Sequence, residues 1–164
     1  MKMTKNAVHS KIPSPLGTIV LAATDTALVG LWFDGQRHQP DPGVWPLVKH
    51  HPVLDAAKAQ LAQYFAGDRH EFDLPLDLSG GTEFQQQVWA QLQAIAGGST
   101  VSYGQLSQQL DKPKAVRAVG AAVGRNPISI VVPCHRVLGA NGALTGYAGG
   151  LDRKTALLHL ESRM

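Results

Sequence analysis

The sequence predicts a small α/β unit followed by a mostly α-helical part that carries a helix-turn-helix. Three observations lead there. Residues 7–33 fall into three short apolar segments separated by turn residues, and residues 53–65 repeat apolar side chains at helical spacing. Thr82-Glu83-Phe84-Gln85, just after Ser79-Gly80-Gly81, fits a capping box that opens a new helix. Residues 102–125 read as helix, three-residue turn, helix. The expected boundary divides residues 1–80 from residues 81–164.

In the first part, residues 8–12, 18–23 and 27–33 are expected strands, with Pro13-Ser14-Pro15-Leu16-Gly17 and Thr24-Asp25-Thr26 as turns. Residues 34–46 are rich in Pro, Gly and Asp and read as a loop. Leu54, Ala57, Leu61, Tyr64 and Phe65 mark a helix that Gly67-Asp68 ends. Residues 71–78 alternate apolar and polar and predict one more strand. His38, His50, His51 and His70 show no ligand spacing and read as exposed or structural.

In the second part, a helix runs from Thr82 to about Ile95, with Phe84, Val88, Leu92 and Ile95 on one face. Ser102 caps a short helix over 103–110, Asp111-Lys112-Pro113 is the turn, and 114–125 is the second helix. On that helix Val116, Val119, Gly120 and Val123 share one side. Lys114, Ala118, Ala121 and Arg125 lie roughly opposite, with Arg117 at their edge. An exposed face with basic ends and tiny middle residues suits close approach to a backbone with flanking phosphates. Reading bases in the major groove would favour Asn, Gln or several Arg there. The pattern points to double-stranded DNA held with little sequence preference through the minor groove; a packed helical hairpin is the plainer alternative.

Ile128-Ser129-Ile130-Val131-Val132-Pro133-Cys134-His135-Arg136-Val137 brings the sole cysteine of the chain to a histidine and an arginine. The apolar run, bounded by Asn126-Pro127 and Pro133, reads as a short buried extended segment. Such a support holds a thiol still, which a reacting atom needs. His135 and Arg136 both favour thiolate, although successive side chains on an extended backbone point opposite ways, so a bend or a water would have to join His135 to the sulfur. A small buried hydrophobe is the plainer role for one free cysteine.

Residues 139–150 hold five glycines around Asn141-Gly142 and Tyr147, a close-approach loop in which Tyr147 forms a flat wall. A last helix starts from Asp152 as N-cap and carries Leu157, Leu158 and Glu161. Glu161 sits near the helix C-terminus, where the dipole disfavours a carboxylate, so a partner such as His135 is expected to use it.

Composition narrows the classes. Apolar content of 44% with 16% charged residues is that of a folded protein. One cysteine excludes an internal disulfide and a cysteine-based zinc cluster. Residues 1–100 carry 7 Lys+Arg and 9 Asp+Glu, whereas residues 101–164 carry 8 and 3, so the basic excess lies in the second part. Met1-Lys2-Met3-Thr4-Lys5-Asn6 has charge but no apolar h-region, and no run reaches membrane-spanning length. A soluble, cytoplasmic protein without signal peptide or membrane contact is expected.

Taken together, Pro133-Cys134-His135-Arg136-Val137, Arg117-Ala118-Val119-Gly120, Asn126-Pro127, Gly146-Tyr147-Ala148-Gly149-Gly150, Lys154 and Glu161 resemble the 6-O-alkylguanine-DNA alkyltransferase (methylated-DNA–protein-cysteine methyltransferase) family in order and spacing. The likeness is specific over 82–164 and looser before it. It implies an N-terminal α/β domain resembling ribonuclease H and a C-terminal domain for DNA binding and chemistry.

The resemblance also implies roles. Arg117 enters the base stack as the damaged nucleotide is flipped, and Tyr103 helps rotate its phosphate and bonds the base. Tyr147 walls the pocket, the carbonyls of Cys134 and Val137 read the guanine amino group, and the Ala148 N–H faces the alkylated oxygen. Lys154 belongs to the substrate-binding set, and Asn126 is the hinge that braces the cysteine segment. Cys134 attacks the alkyl carbon, with His135 as base through a water and Glu161 orienting it. The thioether product implies one reaction per molecule, no cofactor, no metal, and a monomer acting on alkylated DNA. Two rivals remain: a cysteine hydrolase using Cys134 and His135, and a lesion-sensing or regulatory DNA-binding protein without chemistry.

Overall fold

The computed structural model describes residues 6–164. The N-terminal stretch read above as lacking a leader falls, for residues 1–5, outside the described residues. The chain opens as an antiparallel meander of β1 (Val8–Ile12), β2 (Ile19–Ala23) and β3 (Leu28–Phe33). β2 is the middle strand and buried along its whole length. Its alternation sends Ile19, Leu21 and Ala23 into the main core and Val20 and Ala22 into a smaller cluster on the opposite face. That second face is closed by Trp45, stacked on Trp32 at 6.0 Å.

Helix α1 (Pro52–Phe65) covers the main face with Val53, Leu54, Ala57, Leu61 and Tyr64. His51 caps it, its Nδ1 accepting from the Val53 N–H at 3.2 Å, which gives one of the unassigned histidines a structural role. Gly67 ends it at φ +85, the left-handed position that glycine tolerates. The strand expected over 71–78 does not form. Leu28 exchanges hydrogen bonds with the Pro75 carbonyl and the Asp77 N–H, one isolated bridge, and Pro75 has no N–H with which to extend a ladder.

Helix α2 (Glu83–Leu92) starts at the expected capping box, with Thr82 and Gln85 bonded reciprocally. It stops a turn earlier than expected, although Ile95 still packs in the core. The Trp89 indole N–H donates to the Ala122 carbonyl at 2.8 Å and fastens α2 to a later helix. A short parallel pair, β4 (Val101–Ser102) with β5 (Val137–Leu138), frames α3 (Tyr103–Gln109) and α4 (Val116–Gly124). Ser102 caps α3 through a second capping box. α4 begins two residues later than expected, so Lys114 lies in the connecting turn and not on the helix. Val116, expected on the apolar side, is 39% exposed, and Ala122, which the periodicity did not single out, is buried. The chain ends in α5 (Leu151–Ser162), with Gly150 and not Asp152 at its N-cap.

One hydrophobic core runs through both parts, from Ile19 and Leu54 to Val119, Ile128 and Leu157. The join is covalently distant but hydrogen-bonded: the Leu31 N–H donates to Pro127 O at 2.9 Å and the Ser129 N–H to Leu31 O at 3.0 Å. The cysteine-bearing segment thus leans on the outer edge of β3.

Candidate active site

The segment 128–137 is compact, not extended. The Val131 N–H bonds Ser129 O, the Val132 N–H bonds Ile128 O, and the Cys134 N–H bonds Val132 O. Ile130 sits at φ +70, a strained place for a β-branched side chain. Burial does not explain the departure, since Ile128, Ile130 and Val132 would share one face of a straight strand as well. Asn126 ties the two ends together, its Nδ2 donating to Val132 O at 2.7 Å and its Oδ1 accepting from the Ile128 N–H at 3.0 Å.

Cys134, His135 and Arg136 then form a 3₁₀ turn, in which successive side chains point about 120° apart. Cys134 is 5% exposed and lines an open pocket of about 350 Å³ with Tyr103, Gly120, Ala121, Tyr147 and Ala148. His135 and Arg136 turn instead toward α5. The Glu161 carboxylate accepts from His135 Nε2 at 2.7 Å and from Arg136 Nε and Nη2 at 2.8 and 3.0 Å. Arg136 also donates to Ile95 O at 2.6 Å, so its guanidinium is spent on Glu161 and the backbone and does not face the sulfur as expected.

Charge states follow. Burial alone would raise the Glu161 pKa, but donation from His135, Arg136 and Tyr64 overrides it and takes the value down to about 2. Glu161 is therefore ionised, His135 Nε2 carries the ring proton that bonds it, and Nδ1 holds the free lone pair. Nδ1 is buried with no hydrogen-bond partner among the described residues, as is the Tyr147 hydroxyl, whose ring meets His135 edge-on at 6.5 Å. Burial lowers the His135 pKa and keeps it neutral. Burial likewise pushes the Cys134 thiol up, against the opposing pull of the Asn126 amide and the Lys154 ammonium. The resting sulfur is a thiol and not the partly ionised group that the sequence suggested.

These shifts predict a pH dependence of stability. His135 has a folded pKa below 6.5, so its contribution is complete above 6.5 and is lost as pH falls toward the folded value. Glu161 contributes fully above 4.5 and loses that contribution as pH falls toward 2. Thermal unfolding followed from about pH 8 to about pH 3 is expected to show a falling Tm that steepens below pH 4.5. A level Tm over that range would contradict the arrangement.

Lys154 is wholly buried, and its Nζ donates to Val137 O at 2.6 Å, Thr145 O at 2.7 Å and Gly146 O at 3.3 Å. All three of its N–H groups are directed at these carbonyls, so it braces the glycine-rich loop. Val137 O keeps one lone pair after that bond, and the Ala148 N–H has no backbone acceptor among the described residues. The Tyr103 ring borders the pocket beside Gly120, and burial raises its pKa, so its hydroxyl stays a donor. Ala118, Ala121, Arg117 and Arg125 are exposed on or just after α4, with Ala121 and Arg125 at the pocket.

Sequence reasoning missed Arg37 and His38. They come from the loop after β3 yet line the pocket beside Arg125, and the Arg37 N–H bonds Ala148 O at 3.1 Å. Burial and the charges of Arg125 and Arg37 lower the His38 pKa. His38 at φ +65 is a left-handed non-glycine residue, which no pattern in the sequence announces.

Residues 83–163 match the family model described as "6-O-methylguanine DNA methyltransferase, DNA binding domain", and residues 7–78 match its "ribonuclease-like domain". The chain belongs to the methylated-DNA–protein-cysteine methyltransferase family. It is 50% identical to the family protein of Mycolicibacterium paratuberculosis over 94% of this chain and 92% of that one. It is 48% identical to that of Methanosarcina acetivorans over 90% and 94%. Among solved structures, the Mycobacterium tuberculosis O6-methylguanine methyltransferase superposes with a TM-score of 0.87 at 46% identity, over 96% of this chain and 93% of that one. The structure of Mycobacterium tuberculosis OGT in complex with DNA matches with a TM-score of 0.87 at 46% identity, over 94% of this chain and 92% of that one. The methyltransferase family thus spans both parts of the chain, including the site around Cys134.

Proposed function

We propose that this protein repairs DNA by moving the alkyl group of 6-O-alkylguanine onto Cys134, once per molecule. The observation that carries the reading is the placement of Cys134 at an open pocket, one residue from a neutral histidine whose Nε2 is locked to Glu161 and whose Nδ1 lone pair is free. The thiol proton leaves through a water to Nδ1. The sulfur–carbon bond forms as the carbon–oxygen bond breaks, and guanine departs with charge dispersed by donors such as the Tyr103 hydroxyl. A neutral thiol at rest suits this order, because the proton goes only when a substrate is present.

The alkylated oxygen of a paired guanine lies inside the duplex, so the nucleotide must be turned out to reach the sulfur. In this reading α3 and α4 act as a helix-turn-helix on the minor groove. Exposed Ala118 and Ala121 let the backbone approach, Lys114 and Arg125 meet phosphates, and Arg117 fills the vacated stack. Tyr147, Ala148 and the Val137 carbonyl hold the base, Arg37 adds a cationic contact at the rim, and His38 a neutral imidazole. The first part is read as a ribonuclease H-like domain, and the protein as a cytoplasmic monomer that needs no metal or cofactor.

The test is intact mass after mixing with duplex DNA that contains 6-O-methylguanine. A gain of one methyl group per molecule, absent from Cys134→Ala, is expected. Repeated turnovers by a single protein molecule, or unchanged mass with repaired DNA, would falsify it.

A further inference from the structure

The first part of the chain reaches the reacting machinery through one side chain. Tyr64 lies on the last turn of α1 and is fully buried. Its ring is held against Phe65 at 5.3 Å and Phe72 at 5.5 Å, which fixes the direction of the hydroxyl. That hydroxyl donates to Glu161 Oε2 at 2.7 Å, the oxygen that also accepts from His135 Nε2 at 2.7 Å and Arg136 Nη2 at 3.0 Å. Among the described residues Oε2 is thus shared by three donors, while Oε1 takes Arg136 Nε alone.

A carboxylate oxygen divides its negative charge among its donors. Each added donor weakens the pull of that oxygen on the others' protons. Burial raises the pKa of the Tyr64 phenol, and the Glu161 charge adds to it, so the hydroxyl keeps its proton at any ordinary pH. The groups that face His135 from all sides are Glu161 and Lys154 of α5, Cys134 and Arg136 of its own turn, Tyr147 of the glycine-rich loop and, through Glu161, Tyr64 of α1. Of these, Tyr64 alone comes from the first part of the chain.

We propose that Tyr64 is a positioning residue for the transfer reaction: its hydroxyl, by competing for Glu161 Oε2, sets how strongly His135 holds a proton and how its ring is aimed. This rests on the alkyl-transfer reading above. It gives the α/β part a share in the chemistry without any contact with substrate. A hydroxyl that merely satisfied a buried group would affect stability and leave the titration of His135 where it was.

The test uses the full chain with Tyr64→Phe, which keeps the ring and removes the hydroxyl. Glu161 then draws harder on the Nε2 proton, so the His135 titration followed by NMR is expected to rise by about half to one pH unit. The acid limb of the rate profile for transfer from 6-O-methylguanine duplex DNA is expected to rise with it, since His135 must be neutral to take the thiol proton. Site-specific 3-fluorotyrosine at Tyr64, a stronger donor of the same shape, is expected to move both the other way and guards against a variant that fails to fold. Unshifted His135 titration in both variants would overturn the proposal even where transfer proceeds. If His135 shifts as expected in a protein that accepts no methyl group, the Tyr64 coupling stands and the transfer reading falls.

Discussion

Arg136→Met is expected to destabilise the protein by about 3–5 kcal/mol, the usual cost of stranding a buried charge by removing its partner. Arg136 is 2% exposed and supplies two of the four hydrogen bonds that reach the Glu161 carboxylate, besides satisfying the Ile95 carbonyl. Methionine fills comparable space and offers no N–H. Glu161 would then sit 2% exposed with only His135 and Tyr64 as donors, and burial would push its pKa back up. Urea unfolding should show the loss as a lowered midpoint with an unchanged slope. Adding Glu161→Gln, which removes the stranded charge, is expected to recover part of the stability. A loss below about 1 kcal/mol in the single variant would mean that the ion pair is screened as surface pairs are.

Asn126→Ala is expected to cost about 2–4 kcal/mol and to slow alkyl transfer by about 100-fold. Asn126 is 5% exposed and closes the turn that carries Cys134. Without its amide, the Ile128 N–H is left buried and unpaired, and the Val132 carbonyl keeps only the Cys134 N–H. Ile130 would then have a route out of its left-handed conformation, since among the described residues only the Val132 N–H to Ile128 O bond would still tie the ends of that loop. A relaxed loop shifts the sulfur relative to the pocket, and displacements near 1 Å are enough for such a rate loss. Binding to undamaged duplex DNA is expected to stay unchanged, because the exposed face of α4 is not involved. Equal losses in binding and transfer would show that the loop serves more than the sulfur. Asn126→Asp, which keeps the acceptor for Ile128 and loses the donor to Val132, should fall between.

What the sequence revealed and what it hid separate along one physical line. Local signals were legible: the capping box of Thr82, the cap at Ser102, the glycine stop at Gly67, and the three strands of the first part. So was the pairing of His135 with Glu161, inferred from a carboxylate at the wrong end of a helix and found at 2.7 Å. Contacts between distant segments were not legible. The run 128–132 has strand-forming residues, but Asn126 ties its two ends together and Leu31, far away in the chain, bonds Pro127 and Ser129. Lys154 entered the substrate-binding set only through the family resemblance, and sequence does not show three carbonyls converging on one ammonium. Arg37 and His38 were overlooked for the same reason: the loop after β3 comes to the pocket only through tertiary folding.

The dressing of the three-stranded sheet has a consequence for how the protein survives in a crowded solution. An uncovered strand edge is a template on which other chains can add and aggregate. Here Pro46 and Val48 bond to His9 on the β1 side, while Pro75, Asp77, Pro127 and Ser129 occupy Leu28 and Leu31 on the β3 side. Both rims are capped by irregular segments rich in proline. A molecule that stores one unused reactive sulfur until damage arrives has to persist unspent, and a sheet with guarded rims resists the fibrous self-association that would waste it.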